Sequence, residues 1–161
     1  MVHTKEGLLD LHKRAYQSYD AMLDHIAKLP ADALNKEHEI LGWKTLRDTL
    51  LHMANSEEFW MRWLASTAWS KWDLSEFDSV DKIRAVFHRV AEDTRRYLSG
   101  LTDAELNAPV LLERGEDKLT TTPAIALLHI VTHGFHHKGT VVAICRALGH
   151  PAPDTDLNVS P

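Results

Sequence analysis

Apolar positions recur every three or four residues along most of the chain, the spacing of amphipathic helices. The first run is Leu8, Ala15, Tyr19, Met22 and Ile26, with Leu11 and His12 filling the gap, and it ends near Leu29-Pro30. A second helix opens at Thr45-Leu46-Arg47-Asp48, where the threonine hydroxyl and the aspartate can satisfy amides left unpaired at a helix start. It runs to about Ser66, carrying Leu46, Leu50, Met53, Trp60 and Leu64 on one stripe and His52, Phe59 and Trp63 on the next, so a broad face should be buried. Ser79 begins a third helix that continues through Ile83, Val86, Phe87, Val90, Leu98 and Leu101. The last helix has the clearest boundaries, about Pro123 to Leu148. Thr122 suits the N-cap, Pro123 the first helical position, where no amide partner is needed, and Gly149 the left-handed closing residue. Between the third and fourth long helices, Val110 to Thr120 is expected to form a small hairpin or a loop.

Four long helices without alternating strands predict an all-α fold: a four-helix bundle with short extra helices or a small hairpin in its connectors. An internal echo supports two helical hairpins. Leu29-Pro30-Ala31-Asp32-Ala33-Leu34-Asn35 resembles Leu101-Thr102-Asp103-Ala104-Glu105-Leu106-Asn107, and Leu50-Leu51-His52-Met53 resembles Leu127-Leu128-His129-Ile130. Connectors of this length permit more than one order of helices in space. The length, 161 residues, fits one domain spanning the whole chain, 1–161.

Composition narrows the function. A formal charge of −5 without a Lys/Arg block argues against direct nucleic-acid binding, which needs a concentrated basic face. No apolar run reaches the roughly 20 residues of a spanning helix, no secretion signal is visible at the start, and the single Cys145 cannot pair within the chain. A cytoplasmic protein that does not engage membranes is expected. Five tryptophans, Trp43, Trp60, Trp63, Trp69 and Trp72, fall mostly around the end of the second helix. They are expected in the core or at interfaces, with Trp69 and Trp72 on a loop that could shape a pocket.

Histidine changes the picture most. Of eleven, four crowd into one short segment: His129, His133, His136 and His137. His133 and His137 are one helical turn apart, so two imidazoles can converge on one ion. A third donor must come from elsewhere. His52 fits because it lies in the buried face of the second helix, where an unpaired imidazole would be costly. His129 and His136 compete for a place, the former on nearly the same face as His133 and the latter turned toward solvent. Asp48 and Ser56 lie one turn either side of His52 and read as a cap and a small packing residue that could also orient ligands. Three neutral imidazoles would leave coordination positions open, as in catalytic zinc centres. A divalent ion there would lower the pKa of bound water to about 7 and deprotonate a bound thiol. Zinc or nickel is the first expectation, and iron or copper also suits imidazole ligands.

The run Leu127-Leu128-His129-Ile130-Val131-Thr132-His133-Gly134-Phe135-His136-His137-Lys138-Gly139, followed by Leu148-Gly149 and Pro153-Asp154-Thr155-Asp156-Leu157, resembles the C-terminal signature of the DinB family of four-helix-bundle proteins. Leu51-His52-Met53 with Glu57, Phe59 and Trp60 is similar to that family's second-helix motif. Order and spacing hold over essentially the whole chain. Carried over by position, the family's three metal ligands fall on His52, His133 and His137. Where the family has Arg-Gly-Gln after the last ligand, this chain has Lys138-Gly139-Thr140, so the charge is kept and the planar two-pronged hydrogen bonding of arginine is lost. The resemblance implies a metal-dependent enzyme of stress response or detoxification that transfers a low-molecular-weight thiol to a small molecule, and a homodimer. The alternatives are a hydrolase that activates water, with Asp48 or Glu57 as general base, and a noncatalytic metal-binding or interaction protein. In none of these is Cys145 needed, and it reads as a small apolar packing residue.

Overall fold

The computed structural model describes residues 2–30, 32–38 and 44–159, apart from the side chain of Arg114; Trp43 lies outside the described residues. The long helices are α1 (Lys5–Ile26), α2 (Leu46–Leu64) and α3 (Val80–Ser99); a short α4 (Asp103–Asn107) and a hairpin of β1 (Val110–Arg114) and β2 (Asp117–Thr121) precede α5 (Pro123–Ala147). The hairpin is antiparallel, pairing Val110 with Thr121 and Arg114 with Asp117. Short 3-10 turns at Ala33–Asn35 and Leu74–Glu76 occupy the connectors. The all-α bundle with a hairpin insertion is thus the observed fold.

Helix boundaries follow capping chemistry. Thr4, Thr45, Ser79 and Thr122 each accept a hydrogen bond from an amide three residues on, satisfying donors that have no partner within the helix. At α2 only half of the expected exchange forms: Thr45 takes the Asp48 amide at 3.0 Å, while the Asp48 carboxylate lies 3.5 Å from Arg47. The complete reciprocal box is at α4, between Thr102 and Glu105. Gly149 adopts φ 83°, the left-handed closure expected after α5.

In space α1 lies beside α3 and α5, and α2 lies beside those same two helices, so α1 and α2 are diagonal. Lys5 bonds the Ser99 carbonyl at one end and Arg84 meets Asp24 at the other, which makes α1 and α3 antiparallel. Leu8 clusters with Leu127 and Ser18 meets Lys138, so α1 and α5 run parallel. The main core gathers Tyr19, Met22, Leu23, Leu50, Leu51, Ile83, Phe87 and Ile144; a second cluster of Leu8, Leu98, Leu106 and Leu127 fills the end beneath α4. Along α2 the buried positions drift from Leu50 and Met53 to Glu57 and Met61, leaving Trp60 and Leu64 half-buried rather than central.

Because α1 and α2 are diagonal, Glu57 reaches across the middle of the bundle. Its carboxylate is 2.8 Å from His12 Nε2 and accepts hydroxyl hydrogen bonds from Tyr16 (2.9 Å) and Thr94 (2.6 Å). Burial alone would push this carboxyl up; the bond to and electrostatic pull of His12, with the two hydroxyls, hold it below the usual range instead. One ionised side chain thereby ties α1, α2 and α3 together.

A second close approach sets α5. An added Cβ on Gly134 would sit 2.0 Å from the Tyr19 hydroxyl oxygen and 2.8 Å from its Cζ. Glycine at this mid-helix position therefore has a packing cause, strong enough to outweigh the roughly 1 kcal/mol by which it disfavours a helix.

Candidate metal centre

α2 and α5 pack side by side and antiparallel, with His52 opposite His137 and Trp60 opposite His129. That seam brings together His52, His133 and His137. One nitrogen from each lies within 4.8 Å of the others, and among the described residues this is the one group of histidine, cysteine and acidic side chains whose donors converge so closely. The Nε2 atoms of His133 and His137 are 3.2 Å apart. Two nitrogens bound at about 2.0–2.1 Å to a tetrahedral ion stand roughly 3.3 Å apart, so this pair already has a ligand-like separation. His52 closes the triangle, its ring centroid 5.1 Å from that of His133 and 4.5 Å from that of His137. The three residues fit a divalent cation.

All three rings are half-buried. Burial pushes each imidazole down to about 4, and the neighbouring rings add to the effect: His133 on His52, His137 with His129 and His136 on His133, and His52 with His136 on His137. At neutral pH the donors are therefore uncharged with their lone pairs available, the state that metal binding requires. The Ser56 hydroxyl stands 3.5 Å from both ring nitrogens of His52, at the outer limit of a hydrogen bond.

His129 and His136 are exposed and flank the trio. The His129 ring stacks on His133 at 5.7 Å and touches Trp60 at 5.0 Å, while His136 lies 4.9 Å from His137. Asp48 stays at the helix start as a cap residue, and Ser56 alone of the two flanking groups approaches His52. Glu57 is corrected more strongly: as a general base it would need a lone pair facing the site, but its oxygens are spent on three donors inside the core. Cys145 is fully buried, and burial pushes its thiol up to about 11, as suits packing rather than reaction.

Lys138 takes a role that its sequence position does not announce. Its ammonium donates to Ser18 Oγ at 3.0 Å and to the Thr155 carbonyl, and it rests over the Phe135 ring at 4.3 Å. Burial pulls its pKa down while Asp156 and Asp154 oppose that pull. The side chain thus fastens the C-terminal segment to α1 instead of facing the imidazoles. Sequence reasoning also missed the Glu57 network, although His12 and Tyr16, one turn apart within an apolar stripe, were a usable sign of a buried polar partner.

Long antiparallel helices that converge three uncharged imidazoles on one seam define a histidine-centred helical bundle, a fold that offers a cation site between facing helices. The chain belongs to the DinB family, whose model matches residues 3–160. A curated relative, Protein DinB of Bacillus subtilis (strain 168), is 29% identical over 87 residues, which cover 53% of this chain and 49% of that protein. The matched region thus spans about half the relative's length. Among solved structures, a DinB-like protein from Bacillus cereus ATCC 10987 superposes with a TM-score of 0.76 at 21% identity, covering 96% of this chain and 99% of that one. A DinB family member from Shewanella denitrificans gives 0.64 at 19% identity, covering 98% and 91%. A DinB-like protein from Bacillus subtilis gives 0.62 at 14%, covering 92% and 99%. At these identities the structures establish the shared fold.

Proposed function

We propose that the chain is a metal-dependent S-transferase in which His52, His133 and His137 hold a divalent ion, zinc or nickel first, with iron or copper also compatible with the ligands. The observation that carries this reading is the convergence of three neutral, half-exposed imidazoles at the α2/α5 seam. Three protein ligands leave room for a small molecule. A bound ion would supply Lewis acidity and hold a low-molecular-weight thiol as its thiolate. The chain's own residues fix the donors: α5 presents two imidazoles one turn apart, α2 presents the third, and Ser56 lies against the His52 ring.

The carboxylates considered for a hydrolase do not serve the trio: Glu57 is spent inside the core, and Asp48 sits at the first turn of α2 beside Arg47. A metal-bound water and a metal-bound thiol would each lose a proton on binding, and the adjacent His129 and His136 imidazoles are placed to move protons in either chemistry, so thiol dependence is what separates the two readings. The test is turnover of a small electrophile by metal-loaded protein, with and without a low-molecular-weight thiol. Thiol-dependent turnover that disappears in His52→Ala is expected. Thiol-independent hydrolysis would replace this reading with the hydrolase, and stoichiometric metal without turnover of any kind would leave a noncatalytic metal-binding protein.

A further inference from the structure

A pocket of about 400 Å³ opens where the end of α2 meets the loop after it and strand β1. Phe59, Arg62 and Trp63 line it from α2, Trp69 from the loop, and Leu111 and Leu112 from β1. Its volume falls within the ordinary range for small-molecule sites.

The walls are tied in place. Ser66, the residue after the α2 cap, takes φ 52°, the left-handed conformation that commonly closes a helix. The Thr67 amide then bonds the Arg62 carbonyl at 2.9 Å. Trp69 Nε1 donates to Asn55 Oδ1 and Trp63 Nε1 to the Glu113 carbonyl, each at 3.3 Å. Both indole N–H groups are thus used for anchoring, and what the rings offer to the pocket is aromatic surface. Phe59 stands between them, its centroid 5.6 Å from each.

Charge supplies the second half of the recognition. The Glu58 carboxylate is occupied by Arg89 at 2.8 Å and Trp72 at 2.6 Å, and its contact with Arg62 is a long 3.5 Å. Glu113, the acidic residue on the pocket wall, is paired with Lys118 at 2.7 Å. Arg62 therefore keeps most of its guanidinium donors for a partner, while the nearby carboxylates are offset by other cations.

We propose that this pocket binds a small planar aromatic carboxylate, its ring against Phe59 and the two indoles and its carboxylate on Arg62. Phe59 lies two helical turns from His52 on the same face of α2, about 10 Å along the axis. Resting on the enzyme reading above, the pocket would hold the aromatic end of the substrate while its other end approaches the imidazoles; the binding itself does not depend on that reading.

The experiment is titration with 2-naphthoate and with its neutral analogue 2-naphthylmethanol, followed by tryptophan fluorescence and calorimetry on metal-free and metal-loaded protein. Saturable binding of naphthoate at one site is expected in both forms. Arg62→Gln, at a half-exposed side chain, should weaken naphthoate about tenfold, the scale of one charged hydrogen bond, and leave naphthylmethanol unchanged. Trp69→Leu should weaken both probes while the metal content stays at its wild-type value. Absence of naphthoate binding, equal affinity for the neutral analogue, or an Arg62→Gln variant that binds naphthoate as the wild type does would overturn the proposal. Binding with no turnover would refute only the enzyme reading.

Discussion

Replacing Gly134 with alanine is expected to damage the imidazole cluster although Gly134 binds nothing itself. The new methyl carbon would lie 2.0 Å from the Tyr19 hydroxyl oxygen, against the 3.4 Å or more of ordinary contact, so about 1.4 Å must be found. Tyr19 cannot easily yield it. Its ring is packed by Tyr16 at 5.3 Å, Phe87 at 6.2 Å and Phe135 at 5.7 Å, and its hydroxyl lies 3.4 Å from the Val131 carbonyl. The relief must come largely from α5 moving away from α1, and α5 carries His133 immediately before the mutated residue. Overpacking of this kind costs about 1–3 kcal/mol, less the roughly 1 kcal/mol that alanine returns as a better helix former. The expected fall in melting temperature is therefore a few degrees, at about 2–4 °C per kcal/mol for a chain of this size, with metal affinity reduced roughly tenfold because chelation tolerates little misplacement. Calorimetric unfolding and metal titration of the wild type, Gly134→Ala, Tyr19→Phe and the double variant would check this. Removing the hydroxyl should partly rescue Gly134→Ala, since the remaining clash is with Cζ at 2.8 Å. Additive effects in that cycle, or a Gly134→Ala protein with unchanged metal affinity, would refute the reasoning.

Other consequences follow from the same contacts. Glu57→Gln should cost about 2–4 kcal/mol, because an uncharged amide cannot accept from all the donors around it, measurable by urea unfolding. Since Glu57 titrates below the usual carboxyl range in the folded chain, its contribution is fully present above that range and is lost as pH falls through the folded value; Glu57→Gln should flatten the acid limb of the stability curve. Lys138→Met should release the segment around Thr155 to limited proteolysis while metal content stays unchanged; metal loss with an intact C-terminal segment would place Lys138 at the imidazoles instead. Cys145, buried with its thiol pushed up to about 11, should resist alkylation at neutral pH until the protein is unfolded, and rapid labelling of the native protein would contradict its packing role.

Where the chain states its boundaries in capping residues, the sequence reading and the structure agree closely: Thr122, Pro123 and Gly149 delimit α5, and Ser79 opens α3. Where boundaries were inferred from apolar runs alone they drifted, so α1 begins at its Thr4 cap rather than at Leu8 and ends at Ile26, short of Leu29-Pro30. The Leu101–Asn107 echo marks a real element, α4, but its helical character lies in the Thr102/Glu105 box rather than in periodicity. That the trio meets was suggested by two members sharing one helical face and a third on a buried one, and the resemblance to the DinB motifs singled out these three over His129 and His136. Glu57 was misjudged for a reason that one-dimensional patterns share. The diagonal placement of α1 and α2 determines whether a carboxylate one step from the metal-facing stripe turns outward or into the core, and that placement is set by connectors whose paths carry no periodic signal. Lys138 shows the same limit, since its partners Ser18 and Thr155 are distant in sequence.

The central claim is most directly tested by the metal content of untagged protein, comparing wild type with His52→Ala and with the His133→Ala/His137→Ala double variant. Elemental analysis should find near-stoichiometric divalent metal in the wild type, or full uptake when zinc or nickel is supplied, and loss in both variants while their helical content is retained. A wild type that neither carries nor takes up metal, or a His52→Ala protein that binds it as tightly as the wild type, would contradict the account.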